Sequence, residues 1–235
     1  MFVGHTAVAL AAKSRAPEVP LGWLVAAAFG LDLLWPIFLL TGLERVSIVP
    51  GATAFTPLVF DSYPWSHSLV MACAWGLCAA ALVRWRGMTG GVALLVGGVV
   101  VSHWVLDFVT HAPDMPLWPG LSPRVGLGLW RSVPATLLVE GALFVAGIAL
   151  YARATRPADR IGSIGLWTFL LVSTILWVTV PWSPPPPSPR ALAWFSCGSW
   201  LLVAWAAWAD RPRRGYNPLL LIERTIRKAS TLIPI

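Results

Sequence analysis

The run GGVALLVGGVVVSHWVLDFVTH at residues 90–111 has two properties on which the interpretation of the whole sequence depends. Its apolar part has about the 20 residues that a membrane-spanning helix needs. Toward its end it carries His103, Asp107 and His111. Because ionisable side chains are costly at membrane depth, they usually mark a functional site there. The run therefore predicts a membrane helix that carries part of a polar site.

The composition of the whole chain agrees with a membrane protein. Of its 235 residues, 57% are hydrophobic and only 11% are charged, whereas soluble domains have about 25% charged residues. A soluble domain of this size has no core large enough for so much apolar surface, so we predict an all-α integral membrane protein. The net charge of +7 comes largely from Lys and Arg in short loops between apolar runs. This indicates membrane topology rather than nucleic-acid binding.

Apolar runs long enough to cross a membrane recur along the sequence, and we predict six transmembrane helices from them. The six runs are about 20–40, 66–84, 88–109, 134–152, 163–182 and 190–209. Residues 2–12 form a further apolar helix that is too short to cross, so we expect a half-helix covered by protein. We predict one helical membrane domain over residues 1–209, followed by a basic, amphipathic cytoplasmic tail over residues 210–235. A frayed terminus is the alternative for this tail.

Short basic segments separate the predicted spans on one side of the membrane. They lie at residues 13–15, 84–86, 153–160 and 210–214, whereas the loops at 41–65, 110–133 and 183–189 contain few Lys and Arg. Since basic loops stay in the cytoplasm, this alternation predicts a cytoplasmic C-terminus. We expect a multi-pass protein of the bacterial inner membrane.

Several ionisable residues lie within or at the edges of the predicted apolar helices. They are His5, Asp32, His67, His103, Asp107 and Glu140. At 100° per residue, Asp107 lies about 40° from His103 and Thr110 about 20° to the other side, so the three share a helix face. His and carboxylate side chains together are typical ligands of Zn, Mn or non-haem Fe. A rise of about 1.5 Å per residue places His5 and Asp32 deeper than the others, by as much as two or three turns.

Structural roles are the alternatives for these residues. His5 can simply form a hydrogen bond with a neighbour. His103 and Asp107 can form a structural pair, and Glu140 can bind an arginine or cap a polar pocket. These alternatives remain open for each residue taken singly, but they explain the group as a whole less well.

Two positions next to the candidates are interpreted separately. His111 stands at the end of its helix, before Ala-Pro, and is interpreted as an interface residue rather than a ligand. Ser66 is predicted to cap the helix that begins at His67. The free N–H groups of that helix end would hold an anion such as phosphate.

Four short motifs follow one another over about residues 1–130. They are GHTAVA with His5, GLDLLWP with Asp32, SYPWSHS with His67, and HWVLDFVTHAPDMPLWPG with His103, Asp107 and Thr110. In this order they resemble the YdjM-like family of inner-membrane metal-dependent hydrolases. The family's second Asp and following His are Leu34 and Trp35 here, and three further motif positions are Ser62, Tyr63 and Pro64. The resemblance therefore implies a one-metal rather than a two-metal site.

The resemblance implies a metal-dependent hydrolase, and the distribution of basic loops predicts that its site opens toward the periplasm. The ligands would be Asp32, His67, His103 and Asp107, with His5 as a further ligand or as the partner of one. The cofactor would be a divalent ion, Zn or Mn. From the depth of the site we expect a lipid or lipid-linked phosphoester as the substrate. Glu140 is the candidate general base. Arg124, Arg131 and Thr110 are the candidate substrate-binding residues.

Two functions of other classes are alternatives to hydrolysis. An inactive family member would serve as an accessory subunit of a larger membrane complex, respiratory or photosynthetic, with Trp- and Gly-rich helices packed against partner subunits. A proton-coupled transporter would use the same His and Asp residues as a proton relay. No paired halves are visible in the sequence, which disfavours the transporter.

Overall fold

The structure, a computed structural model, describes residues 1–211 and 213–215. The helices are α1 (Val3–Lys13), α2 (Leu21–Ala28), α3 (Gly30–Leu40), α4 (Pro64–His67), α5 (Leu69–Trp85), α6 (Gly90–Thr110), α7 (Val133–Ala154), α8 (Arg160–Val178), α9 (Pro189–Ser196) and α10 (Ser199–Asp210). The strands are β1 (Arg45–Ile48), β2 (Leu58–Ser62), β3 (Met115–Pro116), β4 (Arg124–Val125), β5 (Thr155–Pro157) and β6 (Arg213–Gly215). Short 3-10 helices lie at Leu129–Arg131 and Val180–Trp182.

Within the described residues, four helical segments are long and apolar enough to cross a membrane, and a fifth is added if a bent pair counts as one segment. The four are α6, α7, α8 and the segment Pro189–Asp210 formed by α9 and α10, and the bent pair is α2 with α3. The predicted span at 66–84 forms α4 and α5 instead, and α5 has only 17 residues. The described residues thus confirm several apolar helices of membrane length, four or five where the sequence predicted six.

The predicted span at 20–40 is broken, because α2 and α3 meet at an angle of 57° around Phe29. At the break, Nδ1 of His103 lies 2.7 Å from the carbonyl oxygen of Ala28. An unpaired backbone carbonyl is costly in apolar surroundings, so this contact stabilises the break. Helix α3 begins just beyond it and has Asp32 in its first turn.

The short N-terminal helix α1 is buried among the other helices, as the half-helix interpretation predicts. Gly147 of α7 permits the closest approach, since a Cβ atom there would lie 2.6 Å from the carbonyl oxygen of Ala7. Glu140 caps the N-terminal end of α1. Its Oε2 accepts hydrogen bonds from the N–H groups of Phe2 and Gly4, at 2.9 and 3.5 Å. A helix end is tolerated at membrane depth when protein groups satisfy its donors in this way.

The other end of α1 is fixed to α10 by a buried polar cluster. Lys13 Nζ donates to Asp210 Oδ2 and to the carbonyl oxygen of Val19, each at 2.7 Å. Asp210 also accepts hydrogen bonds from the Tyr151 hydroxyl at 2.7 Å and from the N–H of Leu21 at 3.0 Å. Both charged groups are therefore paired and hydrogen-bonded, which is the condition under which an ion pair can be buried.

The described chain is mostly helical, as predicted, and short strands occur in segments that the sequence predicted as loops. β1 pairs with β2 inside the loop at 41–65, and β3 pairs with β4 inside the loop at 110–133. β6, near the start of the predicted tail, pairs with β5. The rest of the predicted amphipathic tail, residues 216–235, lies outside the described residues.

Large apolar side chains face outward along the membrane-length helices. Leu138 and Val145 on α7 are 72% and 66% exposed, and Leu201 on α10 is 73% exposed. Contiguous apolar surface of this kind is disfavoured in water, whereas lipid tails are as apolar as these side chains. The outward faces therefore indicate a membrane protein.

Candidate metal centre

One polar cluster gathers five of the predicted residues from four helices. They are His5 on α1, Asp32 on α3, His67 on α4, and His103 and Asp107 on α6. The sequence predicted that His5 and Asp32 lie deeper in the membrane than the other three residues, but the structure brings all five together for two reasons. Helix α1 has its N-terminal end at the cluster, and α3 begins at a break beside α6. The histidines and Asp107 are buried, while the Asp32 side chain is 34% exposed.

Four ligand-type atoms of this cluster lie close together. His103 Nε2 lies 3.0 Å from Asp107 Oδ2 and 3.8 Å from Asp32 Oδ1. His67 Nε2 lies 3.7 Å and 3.5 Å from the same two oxygens. Two zinc ligands with bonds of about 2.1 Å are about 3.4 Å apart in a tetrahedral arrangement. The four nitrogen–oxygen separations fall on either side of that value. The ligand atoms of Asp32, His67 and His103 all lie within 4.8 Å of one another, and so do those of His5, His103 and Asp107, so each group of three could hold a divalent ion and the two groups share His103.

The surroundings of His103 fix which of its ring nitrogens carries the proton. The carbonyl oxygen of Ala28, 2.7 Å from Nδ1, can only accept a hydrogen bond, so Nδ1 is the protonated nitrogen. In the neutral ring Nε2 then has a free lone pair. This nitrogen is buried and makes no hydrogen bond of acceptable angle with any described residue. A buried nitrogen without a hydrogen bond, directed at two carboxylates, is what a metal ligand requires.

His67 is held through a serine. Its Nδ1 lies 2.7 Å from Ser66 Oγ, and the same hydroxyl lies 2.6 Å from Oε2 of Glu44. The hydroxyl donates to the carboxylate, so it accepts from Nδ1 of the imidazole. The lone pair of His67 is therefore on Nε2, which faces Asp32 and Asp107.

Asp107 is the central residue of the cluster because its two oxygens have different partners. Oδ2 faces the Nε2 atoms of His103 and His67. Oδ1 accepts a hydrogen bond from His5 Nε2 at 3.1 Å and from the amino group of Met1. The His5 ring also stacks on that of His103, with 3.7 Å between centroids. His5 is thus placed to orient Asp107, in addition to its position as a candidate ligand.

The charges of the cluster match a divalent cation. Asp32 and Asp107 carry two negative charges, and the Met1 amino group that donates to Asp107 carries one positive charge, so the cluster with neutral imidazoles has a net charge of about −1. A buried pair of carboxylates is unfavourable unless cations or hydrogen bonds compensate it. The Met1 amino group compensates Asp107 in part, and a divalent ion would compensate the remaining negative charge. The partly exposed Asp32 side chain leaves one side of the cluster accessible.

Other predicted site residues have partners outside this cluster. Thr110 is buried, and its hydroxyl donates to the backbone oxygen of Asp107 within α6 at 3.2 Å. Arg124 is exposed and donates to the backbone oxygen of Asp61 at 2.9 Å. Arg131 closes the 3-10 helix Leu129–Arg131 before α7. Their substrate-binding roles stay predictions.

Glu140 has a structural partner as well as an unused oxygen. Its Oε2 caps α1, whereas its Oε1 is buried and has no hydrogen-bond partner among the described residues. The sequence suggested an arginine partner or the cap of a polar pocket as structural roles for Glu140, and capping the end of α1 is neither of these. Its role as a general base therefore stays a prediction, and only Oε1 remains available for it.

His111 is not the interface residue that the sequence suggested, because it is buried beside the cluster. Its Nε2 lies 4.0 Å from Asp107 Oδ2, and its Nδ1 lies 3.1 Å from Asp114 Oδ1. The Tyr63 hydroxyl donates to the same Asp114 oxygen at 2.6 Å. Burial and the nearby Asp114 carboxylate raise the pKa of Tyr63 well above its usual value, so this phenol remains a donor at neutral pH. The Tyr63 and Asp114 side chains together hold the imidazole of His111 in place.

The helix end near His67 differs from the prediction. Ser68, not Ser66, caps the longer helix α5, accepting from the N–H of Met71 at 3.3 Å. The N–H groups of Trp65 and Ser66 donate to Oε1 of Glu44, each at 2.8 Å. These two donors belong to the short helix α4, whereas the predicted anion site was at the start of the longer helix, so that site stays a prediction.

Glu44 was not a candidate in the sequence because it stands in a loop outside the predicted spans. Only a buried position would have drawn attention to it, and no local pattern predicts that position. Comparison of the chain with models of known families, with curated proteins and with solved structures gave no match.

Proposed function

We propose that the protein is a membrane-embedded, metal-dependent hydrolase. His67, His103, Asp32 and Asp107 would hold one divalent ion, Zn or Mn. The observation that carries this proposal is the arrangement of inward-facing Nε2 atoms and carboxylate oxygens at separations of 3.0–3.8 Å. The motif order that resembles the YdjM-like hydrolases supports the same function.

The residues of the cluster have distinct roles in this proposal. Asp32 and Asp107 balance the charge of the ion, and the two neutral imidazoles complete the ligand set. His5 fixes the orientation of Asp107 through their hydrogen bond. When bound, such an ion lowers the pKa of a coordinated water and polarises the scissile bond. Water and substrate would enter beside the partly exposed Asp32.

The proposed substrate is a lipid or a lipid-linked phosphoester. The cluster lies in the half of α6 that ends at Thr110, so the reacting group would be near one membrane surface. Outward-facing apolar helices would let the lipid tail stay in the bilayer. Arg124 and Arg131, in the loop that follows α6, are the cations available for an anionic headgroup.

The proposed location is the bacterial inner membrane, with the accessible side of the cluster toward the periplasm. The basic segments at 13–15, 84–86, 153–160 and 210–214 support a cytoplasmic position for the opposite side. Six crossings would require α2 with α3, and α5 with α4, each to function as one span.

Metal analysis together with a hydrolysis assay tests this proposal. The wild-type protein should purify with about one Zn or Mn ion per chain and release phosphate from a lipid phosphoester. The His103→Ala variant should lose both properties. Asp61→Asn is the matched control because Asp61 is exposed on β2, where it accepts from Ser47 at 2.7 Å. A wild-type protein that binds neither metal after growth with both would refute the proposal.

A further inference from the structure

Glu44 and Ser66 connect a buried carboxylate to His67. Glu44 is 2% exposed, and its two oxygens accept three hydrogen bonds. The N–H groups of Trp65 and Ser66 donate to Oε1, and the Ser66 hydroxyl donates to Oε2 at 2.6 Å. With its hydrogen atom directed at Glu44, the hydroxyl presents only lone pairs to His67 Nδ1, 2.7 Å away.

This chain of hydrogen bonds leaves one tautomer of the neutral His67 ring. Nδ1 carries the proton because Ser66 Oγ accepts from it. Nε2 then has the lone pair that a metal ion needs. The contacts of Nε2 within the described residues are with the carboxylate oxygens of Asp32 and Asp107, which accept and do not donate.

We infer that Glu44 is a positioning residue of the metal centre, which acts through Ser66 to keep His67 in the tautomer that binds metal. This inference rests on the proposed metal-dependent function, and it assigns a role to a residue outside the ligand set. Outer partners of metal-binding histidines commonly have this effect, and their loss weakens metal affinity by about 10–100-fold.

An isosteric substitution reverses the direction of the hydrogen bonds. In Glu44→Gln, the amide oxygen can still accept from the two backbone N–H groups, but the amide nitrogen must donate to Ser66 Oγ. The Ser66 hydroxyl would then donate to His67 Nδ1, which places the ring proton on Nε2. The change keeps the size of the side chain and its hydrogen bonds with the backbone N–H groups of Trp65 and Ser66. An effect on the His67 tautomer can therefore be distinguished from a loss of those backbone hydrogen bonds.

The first measurement is the tautomer of His67 in metal-free protein. The chain has four histidines, so protein labelled with ¹⁵N-histidine gives four pairs of ring signals by NMR, and His67→Gln identifies the relevant pair. At a pH where the ring is neutral, wild-type His67 should be protonated on Nδ1, and the Glu44→Gln variant on Nε2. Glu18→Gln, in the exposed loop before α2, is the matched control and should resemble the wild type.

The second measurement is metal affinity, by titration of Zn²⁺ into metal-free protein. Glu44→Gln should bind about 10–100-fold more weakly than the wild type. Because the effect passes through Ser66, the double variant Glu44→Gln with Ser66→Ala should bind within about twofold of Ser66→Ala alone. A purely structural role predicts instead that the two effects multiply.

The outcomes separate this inference from the proposed function. If wild-type His67 is protonated on Nε2, or if Glu44→Gln leaves both the ring tautomer and the Zn²⁺ affinity unchanged, the inference is wrong. The wild-type tautomer decides this even where a variant fails to fold. If the wild type binds no metal but its tautomer changes in Glu44→Gln, the hydrogen-bond chain is correct and the proposed function fails.

Discussion

Replacing Asp107 by asparagine tests the centre of the cluster with little change in shape. Asp107 Oδ2 faces His103 and His67 at 3.0 and 3.7 Å, and Oδ1 accepts from His5 at 3.1 Å. The substitution removes one negative charge from the candidate ligand set. Since the loss of an outer partner already weakens metal binding by about 10–100-fold, the loss of a ligand should cost at least about 100-fold.

The effect on stability follows from this difference in affinity. Metal at 100 times the wild-type Kd should stabilise the folded state by about 2.7 kcal/mol, whereas a protein that binds 100-fold more weakly gains about 0.4 kcal/mol. For a chain of this length, 1 kcal/mol corresponds to about 2–4 °C in Tm. Added Zn²⁺ should therefore raise the Tm of the wild type by about 5–11 °C, and that of the variant by less than about 2 °C.

The assay is thermal unfolding in detergent, with and without Zn²⁺, for wild type, Asp107→Asn and the exposed control Asp61→Asn. Each protein is compared with its own metal-free form, so any direct effect of the substitution on stability cancels. The control should shift like the wild type. A variant at position 107 that keeps the full metal-induced shift would refute the assignment of Asp107 as a ligand.

Three further predictions concern the surroundings of the cluster. His5→Gln should weaken Zn²⁺ binding by about 10–100-fold without abolishing it, measured by titration, because His5 orients Asp107. Asp210→Ala should leave the Lys13 ammonium buried without its carboxylate partner. The metal-free variant should lose about 3–5 kcal/mol in its free energy of unfolding, measured with a chemical denaturant, whereas the variant as purified should contain as much metal as the wild type. Burial raises the pKa of Glu44 above its ordinary value of 4.5, so folding favours the protonated form. The stability that Glu44 contributes is then complete below about pH 4.5 and is lost as the pH rises through the raised pKa. With increasing pH, the Tm of metal-free Glu44→Gln should therefore rise relative to that of the wild type, and a constant difference would contradict this reasoning.

Helical periodicity was sufficient to predict that the cluster residues on α6 lie on one face of that helix. His103 and Asp107 are four residues apart on one helix, so their common face follows from helix geometry alone. The apolar runs likewise predicted α6, α7 and α8 nearly to their ends, because span length depends on composition. The short buried helix α1 was predicted for the same reason, as it is too short to cross.

Tertiary structure determined what the sequence could not show. The depth of Asp32 depends on a 57° break that His103 stabilises from another helix, and no local pattern around residue 29 predicts such a contact. The burial of Glu44 depends on the fold of the loop over α4, and that of His111 on its packing against Tyr63 and Asp114. Each is a contact between residues distant in sequence, or within an irregular loop, where periodicity carries little information.

X-ray absorption spectroscopy at the zinc edge, on purified protein loaded with one equivalent of Zn²⁺, tests the central claim most directly. The account predicts two imidazole nitrogens and carboxylate or water oxygens at about 2.0–2.2 Å, with no sulfur ligand. The imidazole contribution should fall in His103→Ala and in His67→Ala. A spectrum with only water oxygens around the ion, or one unchanged in both variants, would contradict a metal centre at this cluster.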